Sequence, residues 1–396
     1  MIARISKRSV PSGYLLAALG TLIVGQVACS DGSGANPTPP PVTSTNQDTG
    51  SSGDAGVGVV GPVAQALSDV VCDPGEATSC CLAAKRYGGK AGADKTCGVN
   101  GDEDCCKYDD IPAGSFNRMN DPALPATMPG FKLGRFMVTT ARFKVWMEEG
   151  GGLAAKAPAE GAGAHPALPY PASGWKPAWN DNLSKTSEDL ALKVYKDPAS
   201  VGWGCTLDYY PQSPKYPVNC IDYYLMQSYC AWDGGYAITE AMWEYAARGG
   251  AEQRPYAWGS EAPNSIDRSV YCIEGGGTWG VDLWCNNPVN TVPMDVGRAS
   301  KGQGKWGTYD LMGNLMNMTI DDQGKQPAAC TNDCVNRVTP TPNRAVARGI
   351  AFVYPNNLDP SQYSNLMTGR PISVRKNFNG TAFGFRCAYP NSWPTK

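Results

Sequence analysis

Residues 216–250 read YPVNCIDYYLMQSYCAWDGGYAITEAMWEYAARGG, and this stretch sets the architecture. Tyr223 to Trp232 carries apolar and aromatic residues without Gly or Pro and reads as one short helix. Gly234-Gly235 breaks it. Thr239 to Arg248 restarts with a natural N-cap, places Glu240 and Glu244 toward the positive end of the helix dipole, and stops at Arg248 before Gly249-Gly250. Two short helices interrupted by glycines describe a loop-rich domain. The rest of the chain agrees: 46 Gly and 32 Pro among 396 residues exclude a helical bundle or coiled coil. A hydrophobic content of 42% with 11 Trp and 19 Tyr nevertheless supports a sizeable core.

Upstream, Phe131 to Thr140 (FKLGRFMVTT) reads as extended. Arg142 to Glu149 (RFKVWMEE) reads as a helix capped by Thr139 or Thr140, with Phe143 and Trp146 on one face. The main domain is expected over residues 111–396. Before it, residues 65–110 hold Cys72, Cys80, Cys81, Cys97, Cys105 and Cys106 with little apolar content, a segment that needs disulfide staples. Six cysteines allow fifteen pairings, so the pattern stays open. A metal cluster is the weaker reading, because no CxxC pair and no nearby histidine is present.

Residues 30–64 are rich in Gly, Ser, Thr and Pro and read as a disordered tether, reaching about 30 Å on average. Residues 1–29 place Arg4, Lys7 and Arg8 before an apolar run, Tyr14 to Ala28, as in a signal peptide. The run ends at Ala28-Cys29-Ser30, which resembles a bacterial lipobox with Cys29 as the lipidated residue, although Gln26 fits poorly; ordinary signal cleavage is the alternative. Of 15 cysteines, setting Cys29 aside leaves an even number for disulfides. The expected location is the bacterial cell envelope, facing periplasm or cell surface, with the membrane reached through the N-terminal lipid. The formal charge of −2, more negative once the leader's cations are removed, argues against nucleic acid as a partner.

Seven stretches in order, IPAGSFNR from Ile111, FMVTTARFKVW from Phe136, the 216–250 segment, YAWGS from Tyr256, GTYDLMGNLMNMTID from Gly307, RAVARGIAF from Arg344 and GFRCAYP from Gly384, resemble the formylglycine-generating enzyme family, also called sulfatase-modifying factors. The resemblance implies an irregular, loop-rich α+β fold related to C-type lectins and stapled by disulfides. It implies a Cys230–Cys387 disulfide joining the central helix to the final strand. Proximity adds Cys205–Cys220, Cys272–Cys285 and Cys330–Cys334.

Members of that family oxidise a substrate cysteine with copper held by two cysteines five positions apart. Here Arg348-Gly349 begins RGIAFVYPNNLDP, which puts Tyr354 and Asp359 at those positions, and neither supplies the soft thiolate copper(I) needs. No catalytic residue and no copper are therefore expected. The single histidine, His165, cannot build the multi-histidine iron site of a related branch, lacks a nucleophile at recognisable spacing, and reads as a packed or solvent-facing loop residue. Glu240 and Glu244 match structural acids of the family helix. Asp321 and Asp322 are adjacent and read as loop-stabilising, and Gly275-Gly276-Gly277 as a flexible turn.

Where relatives bind calcium, the matching positions are the Asp310 side chain, the Gly313 and Leu315 carbonyls, and Asn317 in place of a glutamate. Calcium and a metal-free turn both remain open there; Asn264 resembles a residue of a second calcium site. The functional expectation is a non-catalytic envelope protein binding a peptide or glycan, or acting as scaffold, with Phe352 and Tyr354 lining a persisting groove. The competing expectations are a formylglycine-generating-type oxidoreductase with a rearranged site and a purely structural protein.

Overall fold

The computed structural model describes residues 70–195, 204–209, 212–262, 267–270, 293–325, 330–337, 343–352 and 371–394. The expected leader with Cys29, the tether over residues 30–64, Asn264, Cys272, Gly275, Gly276, Gly277, Cys285, Tyr354 and Asp359 lie outside the described residues. In chain order the elements are α1 (Thr78–Lys85), β1 (Lys95–Cys97), β2 (Glu103–Asp104), β3 (Tyr108–Ile111), β4 (Gly114–Asn117), β5 (Pro125–Met128), β6 (Phe131–Gly134), α2 (Thr140–Glu148), α3 (Ser187–Tyr195), α4 (Tyr223–Trp232), β7 (Tyr236–Ala237), α5 (Glu240–Arg248), β8 (Met316–Asp322), β9 (Arg344–Arg348), β10 (Ile372–Arg375), β11 (Phe383–Gly384) and β12 (Cys387–Tyr389). Among the described residues no helix is long and apolar enough to cross a membrane.

Helices begin where a side chain satisfies their first N–H groups. Thr139 Oγ1 accepts the Arg142 N–H at 3.2 Å, Thr239 Oγ1 that of Met242 at 3.0 Å, and Asp222 Oδ1 those of Tyr224 and Leu225 at 3.0 and 2.9 Å. Gly249, with φ of 65°, ends α5 in the left-handed region. The extended stretch expected over 131–140 is shorter than its β-branched composition suggests. The strand stops at Gly134, and Thr139 caps α2 instead of continuing it.

Two four-stranded sheets carry the domain, in the orders β3-β6-β12-β7 and β10-β9-β8-β11. The first is antiparallel, with Tyr108 opposite Gly134, Ala388 opposite Leu133 and Cys387 opposite Ala237. In the second, β8 lies between antiparallel β9 and parallel β11, so Asn317 has Arg348 on one side and Gly384 on the other. The β4–β5 hairpin pairs separately, Ser115 opposite Thr127. Phe143, Trp146, Tyr229 and Phe385 form an aromatic core, Phe143 and Trp146 having centroids 4.8 Å apart.

The cysteine-rich segment is more than a stapled appendage. Its disulfides are Cys72–Cys81, Cys80–Cys106 and Cys97–Cys105. It also contributes Ala77, Leu82, Ala83 and Tyr108 to the same hydrophobic cluster as Phe136, Phe143 and Trp146. At the junction sits Arg142 of α2, 2% exposed. Its Nε donates to Ser79 Oγ, its Nη1 to the Cys105 carbonyl at 3.2 Å, and its Nη2 to Asp233 Oδ2 at 2.6 Å and to the Tyr389 hydroxyl. Asp233 Oδ1 accepts the Ser79 N–H at 2.8 Å. One buried ion pair thus ties α1, α2, the end of α4 and β12.

Candidate functional site

The turn from Asp310 to Asn317 is shaped by what its neighbours leave free. Gly313, at φ of 98°, admits no side chain, since a Cβ there would lie 2.2 Å from Ser269 Oγ. Asn314 Oδ1 accepts the Met294 N–H at 3.1 Å, and the Asp310 carboxylate accepts that of Gly297 at 2.7 Å. The Asn317 side-chain oxygen accepts Arg386 Nε at 2.8 Å, while its NH2 group faces the Asp310 carbonyl at 3.5 Å.

Arg386 is fully buried, and all five of its N–H donors are satisfied: Nη1 by the Gly134 and Arg135 carbonyls, Nη2 by those of Tyr309 and Asp310, and Nε by Asn317. Burial draws its pKa down to about 10, which leaves it charged at neutral pH. A guanidinium therefore already holds the oxygen that Asn317 would offer to calcium. The donor set at this turn does not fit a divalent cation.

Burial pushes the Asp310 carboxyl up to about 6, and burial together with the nearby Glu240 charge pushes Asp321 up to about 7. A carboxyl raised in the folded state binds its proton more tightly there than in the unfolded chain. Its contribution to stability is whole below the unfolded value near 3.8 and is lost as pH rises through the folded value. Urea unfolding should show stability contributed by these groups falling between about pH 4 and 7, with D310N removing the part lost by about pH 6. Curves with and without EDTA should superimpose. Equal pH slopes in wild type and D310N would refute the assignment.

The carboxylates on α5 are engaged structurally. Glu240 Oε1 accepts Arg348 Nη1 at 2.8 Å, and Glu244 Oε1 accepts Arg248 Nε at 2.8 Å and the Met119 N–H at 2.6 Å. The Arg348 guanidinium lies 4.9 Å from the Trp243 ring centroid. Asp321 receives the N–H groups of Glu240 and Asn336, both at 2.7 Å, whereas Asp322 turns to Lys376 Nζ at 2.6 Å. The two adjacent aspartates serve different partners.

His165 is packed, 3% exposed. Its Nε2 lies 2.9 Å from Asp333 Oδ2 and its Nδ1 accepts the Ala167 N–H at 3.1 Å, so neither nitrogen is available as a base. Asp333 Oδ1 accepts the Thr239 hydroxyl at 2.8 Å, linking the histidine loop to the N-cap of α5. Phe352 corrects the expected groove: it is 4% exposed and packs in the core, so its ring offers no stacking surface.

An opening lies elsewhere. A cavity of about 570 Å³ sits between the β4–β5 hairpin, the turn at Ala251 and Gln253, and the loop beginning at Cys330. Ser115, Asn117, Thr127, Gln253 and Thr331 give it hydroxyls and amides, Phe116, Pro125 and Ala126 give it apolar surface, and no charged side chain lines it. Gln253 braces one edge, donating to the Asn117 carbonyl at 2.8 Å. No sequence motif marked these residues; only IPAGSFNR at the hairpin touches them.

Disulfides Cys205–Cys220, Cys230–Cys387 and Cys330–Cys334 are formed, with Cα separations of 5.5, 5.5 and 5.7 Å. An irregular α+β domain whose central helix is bonded to its final strand is the arrangement that the resemblance to formylglycine-generating enzymes implied. Residues 102–390 match the sulfatase-modifying factor enzyme 1-like domain, and the chain belongs to that family.

Over 126 residues it is 30% identical to the inactive C-alpha-formylglycine-generating enzyme 2 of Bos taurus, covering 32% of this chain and 38% of that protein. Over 105 residues it is 32% identical to the formylglycine-generating enzyme of Streptomyces coelicolor, covering 24% and 30%. The chain thus spans well under half the length of these two relatives. It is also similar to the solved structure of PvdO from Pseudomonas aeruginosa, at 19% identity and a TM-score of 0.43, covering 70% of this chain and 92% of that one.

Proposed function

We propose that this protein is an exported, lipid-anchored envelope component whose family domain works by binding rather than by oxidation, taking a peptide or glycan segment into the cleft between the β4–β5 hairpin and the Cys330 loop. The observation that carries the proposal is the replacement of both copper-ligating positions by Tyr354 and Asp359. A phenol and a carboxylate do not make a copper(I) thiolate site. A relative named as inactive is compatible with this reading. All twelve cysteines among the described residues are in disulfides, which favours export.

The uncharged, hydroxyl- and amide-rich lining of the cleft suits a neutral polar ligand, and its apolar surface supplies contact area. Ser115 is exposed on β4, so Ser115→Trp should fill the cleft without disturbing the core. Peptide and glycan arrays followed by calorimetry should identify a micromolar ligand whose affinity S115W weakens at least tenfold. Absence of any ligand, or equal affinity in S115W, overturns the reading. Stoichiometric copper(I) binding with oxidation of a peptide cysteine to an aldehyde would favour the oxidoreductase alternative.

A further inference from the structure

We propose that Cys330–Cys334 is an exchangeable disulfide that accepts two electrons from a dithiol entering the cleft. The proposal uses the same cleft as the binding function but does not depend on which ligand that function recognises.

Three observations single this bond out. Cys330 is half-buried and lines the 570 Å³ cavity, whereas Cys334 is 2% exposed, so Cys330 is the residue of the pair that an entering thiol meets first. Cys72 is also half-buried but belongs to none of the described cavities. The bond spans a sequence separation of 4, against 157 for Cys230–Cys387, so it restricts the unfolded chain least and is the weaker staple.

The loop is also held without the bond. The Cys330 N–H donates to the Pro125 carbonyl at 3.3 Å, and the Cys330 carbonyl accepts the Thr127 N–H at 3.2 Å. The Asp333 N–H donates to the Thr127 carbonyl at 3.2 Å. The Asp333 carboxylate is clamped by His165 and Thr239, and the Asn336 N–H by Asp321. With Asn332 and Asp333 at φ of 62° and 68°, the turn is fixed by hydrogen bonds on both sides of the sulfurs. Opening the bond leaves the two thiols facing each other in a preserved frame, ready to close again. This gives the buried His165–Asp333 pair a role: it positions the reactive loop from behind.

In the exchange, a substrate thiolate attacks Cys330 Sγ and forms a mixed disulfide. The Cys330–Cys334 bond breaks, and its electron pair leaves on Cys334 Sγ, which takes up a proton. The second substrate thiolate then attacks the substrate sulfur of the mixed disulfide, releasing Cys330 as a thiolate. The substrate dithiol becomes a disulfide, the protein disulfide becomes a dithiol, and a single turnover needs no other oxidant.

The test uses the folded domain with N-acetylcysteinamide, an uncharged monothiol matched to the cleft, and with dithiothreitol, followed by acid quenching, alkylation and peptide mass mapping. Dithiothreitol should open Cys330–Cys334 at a concentration at least tenfold below that needed for any of the other five described disulfides. C334S, given the disulfide form of N-acetylcysteinamide, should carry one adduct on Cys330, and C330S should carry less than a tenth as much on Cys334. The double variant C330S/C334S should keep its near-ultraviolet circular dichroism.

The proposal fails if another described disulfide opens first, if the two single variants trap adduct equally, or if the double variant loses its tertiary signal. Exchange in a protein that captures no peptide or glycan would leave this proposal standing while removing the binding reading. Binding without selective exchange would do the reverse.

Discussion

Asp233→Ala should destabilise the domain by about 3–5 kcal/mol, because it strands the Arg142 guanidinium in the interior. Asp233 is 0% and Arg142 2% exposed, so water cannot replace the lost carboxylate. The same carboxylate also accepts the Ser79 N–H and the Tyr389 hydroxyl, and both would lose their partner. Urea unfolding followed by tryptophan fluorescence measures the loss. D233N keeps one oxygen acceptor and should lose less. Arg142→Met with Asp233→Leu should recover part of the deficit, because the stranded charge is then gone. A D233A protein within 1 kcal/mol of wild type, a threshold set roughly at the worth of an exposed ion pair, would show that the pair is not effectively buried.

Removing the Cys230–Cys387 bond should have the next largest effect. Closing a separation of 157 residues restricts the unfolded chain by about 5 kcal/mol in the chain-entropy model. Both sulfurs are buried, at 0% and 1% exposure, so serine substitution also places two hydroxyls in an apolar setting. C230S/C387S should melt at least roughly 10 °C below wild type, at about 2–4 °C per kcal/mol for a domain of this size. The matching C330S/C334S protein, whose bond closes a separation of 4, should lose about 2 kcal/mol or less. Equal losses in the two pairs would mean that loop closure does not govern these bonds.

The readable parts of the fold carried their own local signals. Helix α5 was legible because Thr239, the two glutamates and Gly249 mark its ends independently of tertiary context. Strand β8 was not, since MNMTID alternates apolar and polar residues as a half-exposed strand does, yet all seven residues of MNMTIDD are buried. Each polar side chain there is answered from far away: Asn317 by Arg386, Thr319 by the Val346 carbonyl, Asp321 by the N–H groups of Glu240 and Asn336, and Asp322 by Lys376. No window of sequence contains those partners.

The cysteine-rich pairing was equally hidden, because it depends on α1. Cys80 and Cys81 are consecutive on that helix and leave it about 100° apart, so one turns to Cys106 and the other to Cys72. The cleft was illegible for a simpler reason: its walls come from residues near 115, 127, 253 and 331, which only the folded chain brings together. The expected replacement of the family's copper ligands by Tyr354 and Asp359 is, by contrast, a matter of sequence alone, because it concerns which residues stand at matching positions rather than where they point.

The Arg142 junction also bears on how the chain is made. Its partners run from Ser79 to Tyr389, across nearly the whole length of the described protein. Synthesis proceeds from the amino end, so Arg142 on α2 meets its counter-charge only when Asp233 has been made, and its last hydrogen-bond partner only with Tyr389. Until then Cys230 has no native mate, and any bond it forms earlier must be undone. The Cys230–Cys387 bond therefore closes late, and a chain that stops before Cys387 lacks the link between its central helix and its final strand.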